Sequence, residues 1–412
     1  MIKKKNFHLK NWNTYFGLII LAAICILFMF AEIINNRFWL SDFEVYYKAA
    51  VRILNSKNLY QIIEFDHYQF KYSPSFAIFF IPFTIVPFAI AKYLYWLFLT
   101  SIIVIGYYLC VIILKPSMFD HQKIKSINII FLLAFLILAI HLLRELHLGQ
   151  VNYLLLFLYI LAIYCLKKHK RIGFSLIIAV SIFIKPFALI FIPFMIIKKK
   201  YFELLLFACF CTVLFLLPLI FYGSIETTIN QYQMWFNELR IELSHKQGLL
   251  ENANFTIFSV FARYTPIRFL LINSKISFIY QIIMLILIGI AFIWFTKINS
   301  NNINSEQKNY FSFIEFALLI SFIPLLAYTS VNAFIFVQLL VFIVLLYFKS
   351  LRNYEMVLAI IAFLFIGGNY VELIGLELSI KLDDISVLTF GIIILIYLLY
   401  VMRSRNILKV KE

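Results

Sequence analysis

The chain has 412 residues, of which 64% are hydrophobic and 14% charged, with a mean hydropathy of +0.94, a balance that excludes an ordinary soluble globular protein. The formal net charge of +16 does not point to nucleic acid, because the lysines and arginines stand in short groups between apolar runs instead of forming one solvated face. All five cysteines (Cys25, Cys110, Cys165, Cys209 and Cys211) fall inside apolar runs, so neither a disulfide frame nor a zinc site is expected.

Runs long enough to cross a bilayer core of about 30 Å recur from end to end. The expected fold is all-α: a polytopic helical membrane protein forming one domain over residues 1–412, with about twelve crossings. Taken in order, these are 15–34, 90–114, 127–143, 150–166, 172–184, 186–197, 201–222, 275–296, 310–328, 330–348, 353–368 and 385–402. The first follows a basic stretch as a signal peptide would. Ile24 stands before Cys25 where a lipoprotein cleavage site needs a small residue, so this run reads as an uncleaved helix.

Assigning the basic groups at Lys3–Lys10, Lys115–Lys125, Lys167–Arg171, Lys198–Lys200, Lys297–Lys308, Lys349–Arg352 and Arg403–Lys411 to the cytoplasm places most of the 36 lysines and arginines inside, as the positive-inside rule requires. Both termini are then cytoplasmic. Two large loops, 35–88 and 223–274, face outward.

Within the first loop, "LSDFEVYYKAA" (40–50) pairs Ser41 with Glu44 in a capping-box pattern, which puts Asp42 in the first turn of a helix. On helical spacing Asp42, Tyr46, Ala49 and Ile53 share one stripe, the face that packs on the membrane domain. Asp42 is thus open to two readings, a favourable charge at a helix start or a carboxylate held for chemistry. "SPSFAIFFIPFTIVPF" (73–88) carries three prolines and is too short to cross, so it is expected to lie along the outer surface.

Farther on, "RELHLGQVN" brings Arg144, Glu145, His147, Gly149, Gln150 and Asn152 to the outer end of two apolar runs. Polar groups at that depth line a cavity or pair together: Arg144 and Glu145 could form an interfacial pair, Gln150 and Asn152 could cap the next helix, and all could instead line a cavity. The piece 167–200 is basic at both ends, so the chain goes in and returns on arms of about a dozen residues, leaving "IKPF" below the outer surface. An unpaired lysine at the bilayer centre costs about 2.5–3.5 kcal/mol; Lys185 either snorkels or serves a pocket. The second loop adds Asn252, Asn254 and Arg263, and "AYTSVNAF" adds Thr329, Ser330 and Asn332. HExxH, CxxC, Walker A, GxGxxG and GxSxG are all missing from the sequence, leaving metalloprotease, nucleotidase and lipase readings unsupported.

The succession "SDFEVYYKAAVRILNSKNLYQ", "FKYSPSFAIFFIPFTIVPFAIAKYLYW", "LGQVNYLLLFLYILA", "SIFIKPFALIFIPFMIIKKK" and "NANFTIFSVFAR" resembles glycosyltransferase family 87, over about residues 12–348. That family belongs to the GT-C enzymes and includes polyprenyl-phosphate-mannose-dependent mannosyltransferases. The resemblance implies a hexosyltransferase acting on the outer side of the plasma (inner) membrane, with a polyprenyl-phosphate-sugar donor, mannose as the expected sugar, a lipid-linked or glycan acceptor, and no cofactor or metal. The position matching the catalytic aspartate is Asp42. Tyr72 with Pro74, Gly149 with Gln150 and Asn152, Lys185 with Pro186, and Asn254 with Thr256 and Arg263 match the remaining elements. Tyr46 and Tyr47 would add stacking surface, and Lys185, then Arg263, would stabilise the departing phosphate. Where many members carry an "SPxSWxHH"-like stretch this chain has "LAYTSVNAFIF", with Asn332 near the expected histidine, a departure that bears on acceptor and sugar more than on reaction class. Two other readings stay open: a transporter or flippase of lipid-linked sugars, and a non-catalytic membrane assembly protein.

Overall fold

The computed structural model describes residues 15–61, 69–114, 124–244, 248–271, 274–300 and 303–408. The basic residues Lys3, Lys4, Lys5, Lys10, Lys115, Lys123, Lys409 and Lys411 lie outside the described residues.

Among the described residues all regular structure is helical. Helix α1 (Phe16–Ile34) leads through the short α2 (Ser41–Leu54) and α3 (Pro74–Phe79) to the long α4 (Phe88–Leu114) and α5 (Ile124–Leu148). Next come α6 (Asn152–Lys167), α7 (Arg171–Ile184), α8 (Phe191–Ile197), α9 (Tyr201–Leu216) and α10 (Leu219–Tyr222), then α11 (Ile225–Ser244) and α12 (Ile257–Arg263) of the second loop. The chain closes with α13 (Ser274–Lys297), α14 (Ser305–Leu326), α15 (Gln338–Tyr347), α16 (Asn353–Gly367), α17 (Val371–Ile374), α18 (Leu376–Asp384) and α19 (Val387–Ser404).

Among the described residues eight helical stretches are long and apolar enough to span a bilayer, so the protein is a polytopic helical membrane protein. The expected crossings at 150–166, 172–184, 186–197 and 353–368 correspond to shorter apolar helices of 10–17 residues. Local chemistry cuts one of them short. Pro186 offers no N–H and crowds its predecessor out of the helical region, so α7 stops at Lys185, which is extended at φ −145°, ψ 139°. In the 73–88 stretch, Ser73 caps α3 by accepting from Phe76 N–H and Pro74 takes the first helical position. The helix lasts six residues before a 3₁₀ turn at Ile81–Ile85, and neither piece reaches across a bilayer.

Helix α14 and the 331–350 stretch are the most enclosed of the long apolar segments, whereas α9 and α13 are the least. A helix apolar on all sides belongs either in the protein interior or against lipid, and these four segments divide between the two. Around the centre, α6 packs on α4 and α7, α1 on α4 and α5, and α16 on α19.

At the end of the bundle away from α2, Glu315 of α14 is fully buried and bonds Arg403 Nη1 of α19 at 2.9 Å, with Lys198 of the α8–α9 turn on its other oxygen. Arg403 also donates to the Ile298 and Thr296 carbonyls at 3.0 and 2.9 Å. One carboxylate therefore ties four parts of the chain together. Removing a single partner from such a cluster strands a buried charge. Glu315→Ala is expected to destabilise the protein by about 3–5 kcal/mol, read as a large drop in the unfolding midpoint in detergent. Glu377→Ala, which breaks the exposed pair with Lys381, is expected to leave the midpoint unmoved.

Candidate active site

The site begins with the docking of α2. Ser41 does not cap this helix. It is the first helical residue, and the preceding Leu40 adopts the left-handed conformation (φ 49°) with no side-chain cap bond. Glu44 does not reach back to complete a capping box; it pairs with Lys48 at 2.9 Å. Packing outweighs capping here because Leu40 and Phe43 are fully buried. Phe43 stacks on Tyr95 at 4.2 Å and 8°, and Leu40 and Phe43 both press on Gly149.

Gly149 ends α5 at φ 67°. A Cβ there would meet Phe43 Cβ at 3.0 Å and Leu40 Cβ at 3.1 Å, so the turn needs glycine for its backbone and for the close approach. Gly149→Ala is expected to cost at least about 1–2 kcal/mol from the left-handed backbone alone, measured as a lower unfolding midpoint, and to push α2 off the turn.

With α2 seated, the expected inward stripe is observed: Tyr46, Ala49 and Ile53 are buried and Asp42 is half-buried. Asp42 lines the cavity with Gln150, Lys185 and Lys71, all three of which favour its ionised form. Burial holds its carboxyl above the ordinary value of 3.8, against the opposing pull of Gln150, Lys185 and Lys71. Tyr46 Oη lies 2.9 Å from Tyr72 Oη. Tyr72 is held in turn by its carbonyl, which accepts from Tyr60 Oη at 2.6 Å.

Lys185 reaches the same place from the broken end of α7. Its Nζ donates to Asn152 Oδ1 at 2.7 Å and stands 5.9 Å from the Tyr72 ring centre. Asn152 Nδ2 donates to both Glu145 Oε1 and Gln150 Oε1 at 2.7 Å. Asn332 Nδ2 donates to the same two oxygens. Glu145 Oε2 accepts from Tyr153 N–H at 3.0 Å, satisfying one of the free donors at the start of α6.

These groups open on a cavity of about 1110 Å³. Asp42, Tyr46, Tyr72, Gln150, Asn152 and Lys185 line it, together with Asn254 and apolar side chains of the second loop such as Leu249 and Phe258. A single space is therefore lined by a carboxylate, an ammonium and paired tyrosines, with apolar side chains among them. Among the described residues no group of three or more His, Cys, Asp or Glu is placed to hold a metal ion.

Three of the residues expected at the site stand elsewhere. Asn332 is fully buried behind the cavity wall, with Ser330 Oγ donating to its Oδ1. Tyr47 points away, donating to the Val86 carbonyl at 3.0 Å. Arg263 fastens the second loop to the segment before α19, with donors on the Asn254 and Asp384 carbonyls and on Ser386 Oγ. Two further residues belong to the site, one of which, Lys71, the sequence reading did not single out. Lys71 lines the cavity one place before Tyr72, and Glu145 turns inward to the amides where the sequence pairs it with Arg144.

Comparison with known families adds one match: the model described as Glycosyltransferase family 87 covers residues 70–321, more than half of the chain. No curated protein and no solved structure matches. The matched range takes in Tyr72, Gln150, Asn152, Lys185, Asn254 and Arg263 and begins after Asp42.

Proposed function

The chain belongs to glycosyltransferase family 87 and is a membrane glycosyltransferase; from that premise we propose that it moves a sugar, mannose being the expected one, from a polyprenyl-phosphate-sugar donor to a lipid-linked or glycan acceptor, with Asp42 as general base. The observation that carries this reading is the shared cavity of Asp42 and Lys185. It puts a proton acceptor and a cation within one space that also has apolar walls.

The chemistry divides between those two groups. An acceptor hydroxyl gives its proton to the Asp42 carboxylate as its oxygen bonds to the anomeric carbon. The bond from that carbon to the lipid phosphate oxygen breaks, and the phosphate leaves with the electron pair. Developing negative charge on the phosphate is stabilised by an ammonium in a poorly hydrated site, the role proposed for Lys185. Tyr46 and Tyr72 offer aromatic surface to the sugar, and Gln150, Asn152 and Asn254 hold the polar wall. Tyr47, Arg263 and Asn332 face away from the cavity, so their part is to support the wall and loops. Glu145 is shut behind Asn152 and Asn332, which favours a single displacement through Asp42 with inversion at the anomeric carbon over a covalent intermediate.

The charge pattern of the sequence supports placing this cavity on the extracytoplasmic side of the plasma (inner) membrane, with both termini cytoplasmic. That side is where the sugar of a flipped polyprenyl-phosphate donor meets water while its tail stays in lipid.

In purified protein, Asp42→Asn is expected to lower transfer from a polyprenyl-phosphate-sugar by about 10²-fold or more, and Lys185→Gln by about 10²–10³-fold. Wild-type rates for Asp42→Asn would end the assignment. Passage of a labelled lipid-linked sugar across vesicles with no new glycosidic bond would replace it with a flippase. The acid side gives a second check. Asp42 accepts a proton only when ionised, so kcat/KM falls as pH drops through its raised value, with a midpoint above 3.8, and the residual activity of Asp42→Asn lacks that limb.

A further inference from the structure

The amide network behind the cavity has a polarity, and one residue sets it. A carboxylate can only accept hydrogen bonds, whereas a carboxamide can present either an oxygen or an NH₂ group at much the same place. Glu145 Oε1 faces the side-chain ends of both Asn152 and Asn332, so each must turn its NH₂ toward Glu145. For Asn152 this leaves Oδ1 facing Lys185, from which it accepts at 2.7 Å. For Asn332 it leaves Oδ1 facing Ser330.

The remaining N–H of each amide reaches Gln150 Oε1. With its oxygen taken by two donors, Gln150 has only its NH₂ left for Asp42, which lines the same cavity, and that side chain favours the ionised form of Asp42. The orientation thus runs from a buried carboxylate through three amides to opposite signs at the cavity wall, an N–H at Asp42 and a carbonyl at Lys185.

We propose that Glu145 is a positioning residue: its acceptor-only carboxylate fixes the orientation of Asn152, Asn332 and Gln150, and so aims a donor at the proposed base and an acceptor at the proposed phosphate-binding lysine. This rests on the reading of Asp42 and Lys185 given above, and it adds a residue that touches neither substrate. A glutamine at 145 offers the network an oxygen or an NH₂ group, so two orientations compete. In the reversed one, Gln150 presents its oxygen to Asp42 and Asn152 presents its NH₂ to Lys185, like facing like at both places.

The charged and titratable groups around this chain are Lys185 and Lys71 beside Asp42, and Tyr46, Tyr72 and Tyr95 on the packed aromatic side. Lys185 and Lys71 favour the ionised form of Asp42, whereas Glu145, held to Gln150 through Asn152, is a nearby like charge that opposes it. Loss of its negative charge by itself lowers the Asp42 midpoint, so a rise in Glu145→Gln comes from reversal of the amides and not from the lost charge.

The test compares wild type, Glu145→Gln and Glu145→Asp in two measurements. One is the pH profile of kcat/KM with a polyprenyl-phosphate-sugar donor. The other, independent of activity, is an infrared titration of the Asp42 carboxyl, isolated as the difference between each protein and the same protein carrying Asp42→Asn. Loss of a hydrogen bond to a charged group is worth about one to two pH units. Glu145→Gln is expected to move both midpoints up by at most that much, the lost charge offsetting part of the rise, while Glu145→Asp, still acceptor-only, keeps them at the wild-type position even if its rate falls. Asn332→Ala, which removes one of the two donors on Gln150 and keeps Glu145, is expected to shift the midpoints the same way by less, and it carries the test should Glu145→Gln not fold. A folded Glu145→Gln or Asn332→Ala whose infrared midpoint matches wild type overturns the proposal. If wild type transfers no sugar from such a donor, the functional reading fails, and the infrared titration still decides the role of Glu145.

Discussion

The site depends on one tight contact, the seating of α2 on the turn at Gly149. Two residues there carry left-handed backbones, Leu40 on the helix and Gly149 beneath it, and both hold those conformations because Leu40 and Phe43 are packed without space to relax. A non-glycine residue in that region is held only where its surroundings over-determine it. From the contact follows the reach of Asp42 to Gln150, and from the same turn follow the start of α6 and the place of Asn152. Were α2 to lift, its carboxylate would return to water and the cavity would lose its acid.

A membrane interior makes polar groups expensive unless they are satisfied, and the protein meets that demand in two ways. At one end of the bundle Glu315 is held between two cations, Arg403 and Lys198, in a closed cluster. At the other, Glu145 is bonded by two asparagines and a backbone N–H, while Lys185, resting on one of those asparagines, stays on the cavity wall. The first arrangement leaves its groups nothing further to do. The second leaves an ammonium and the Asp42 carboxylate facing one open volume, the condition a transfer from a lipid-linked phosphate needs.

Much of this was legible in the residues. The helical class followed from the apolar runs, and Asp42, Gln150, Asn152 and Lys185 stood out as polar groups at the ends of apolar segments. The period of α2 correctly put Tyr46 on the inner face, and the same geometry shows why Tyr47 left it: the next residue on a helix is turned by about 100°. Glu145 was misread for a related reason, since its neighbour Arg144 points elsewhere. Arg263 carried no periodic signal at all. Its partners, 121 and 123 residues away, are brought close only by the fold.

By itself, then, the sequence determined that the chain is a bundle of apolar helices and that certain polar residues break their ends, because hydrophobic length, proline and charge act locally. Which of those residues share a cavity, which merely fasten one loop to another, and which way each amide faces were decided only by tertiary structure. Those outcomes depend on distances between segments a hundred or more residues apart, and on packing at Gly149 strong enough to set aside the capping pattern that the local chemistry favours.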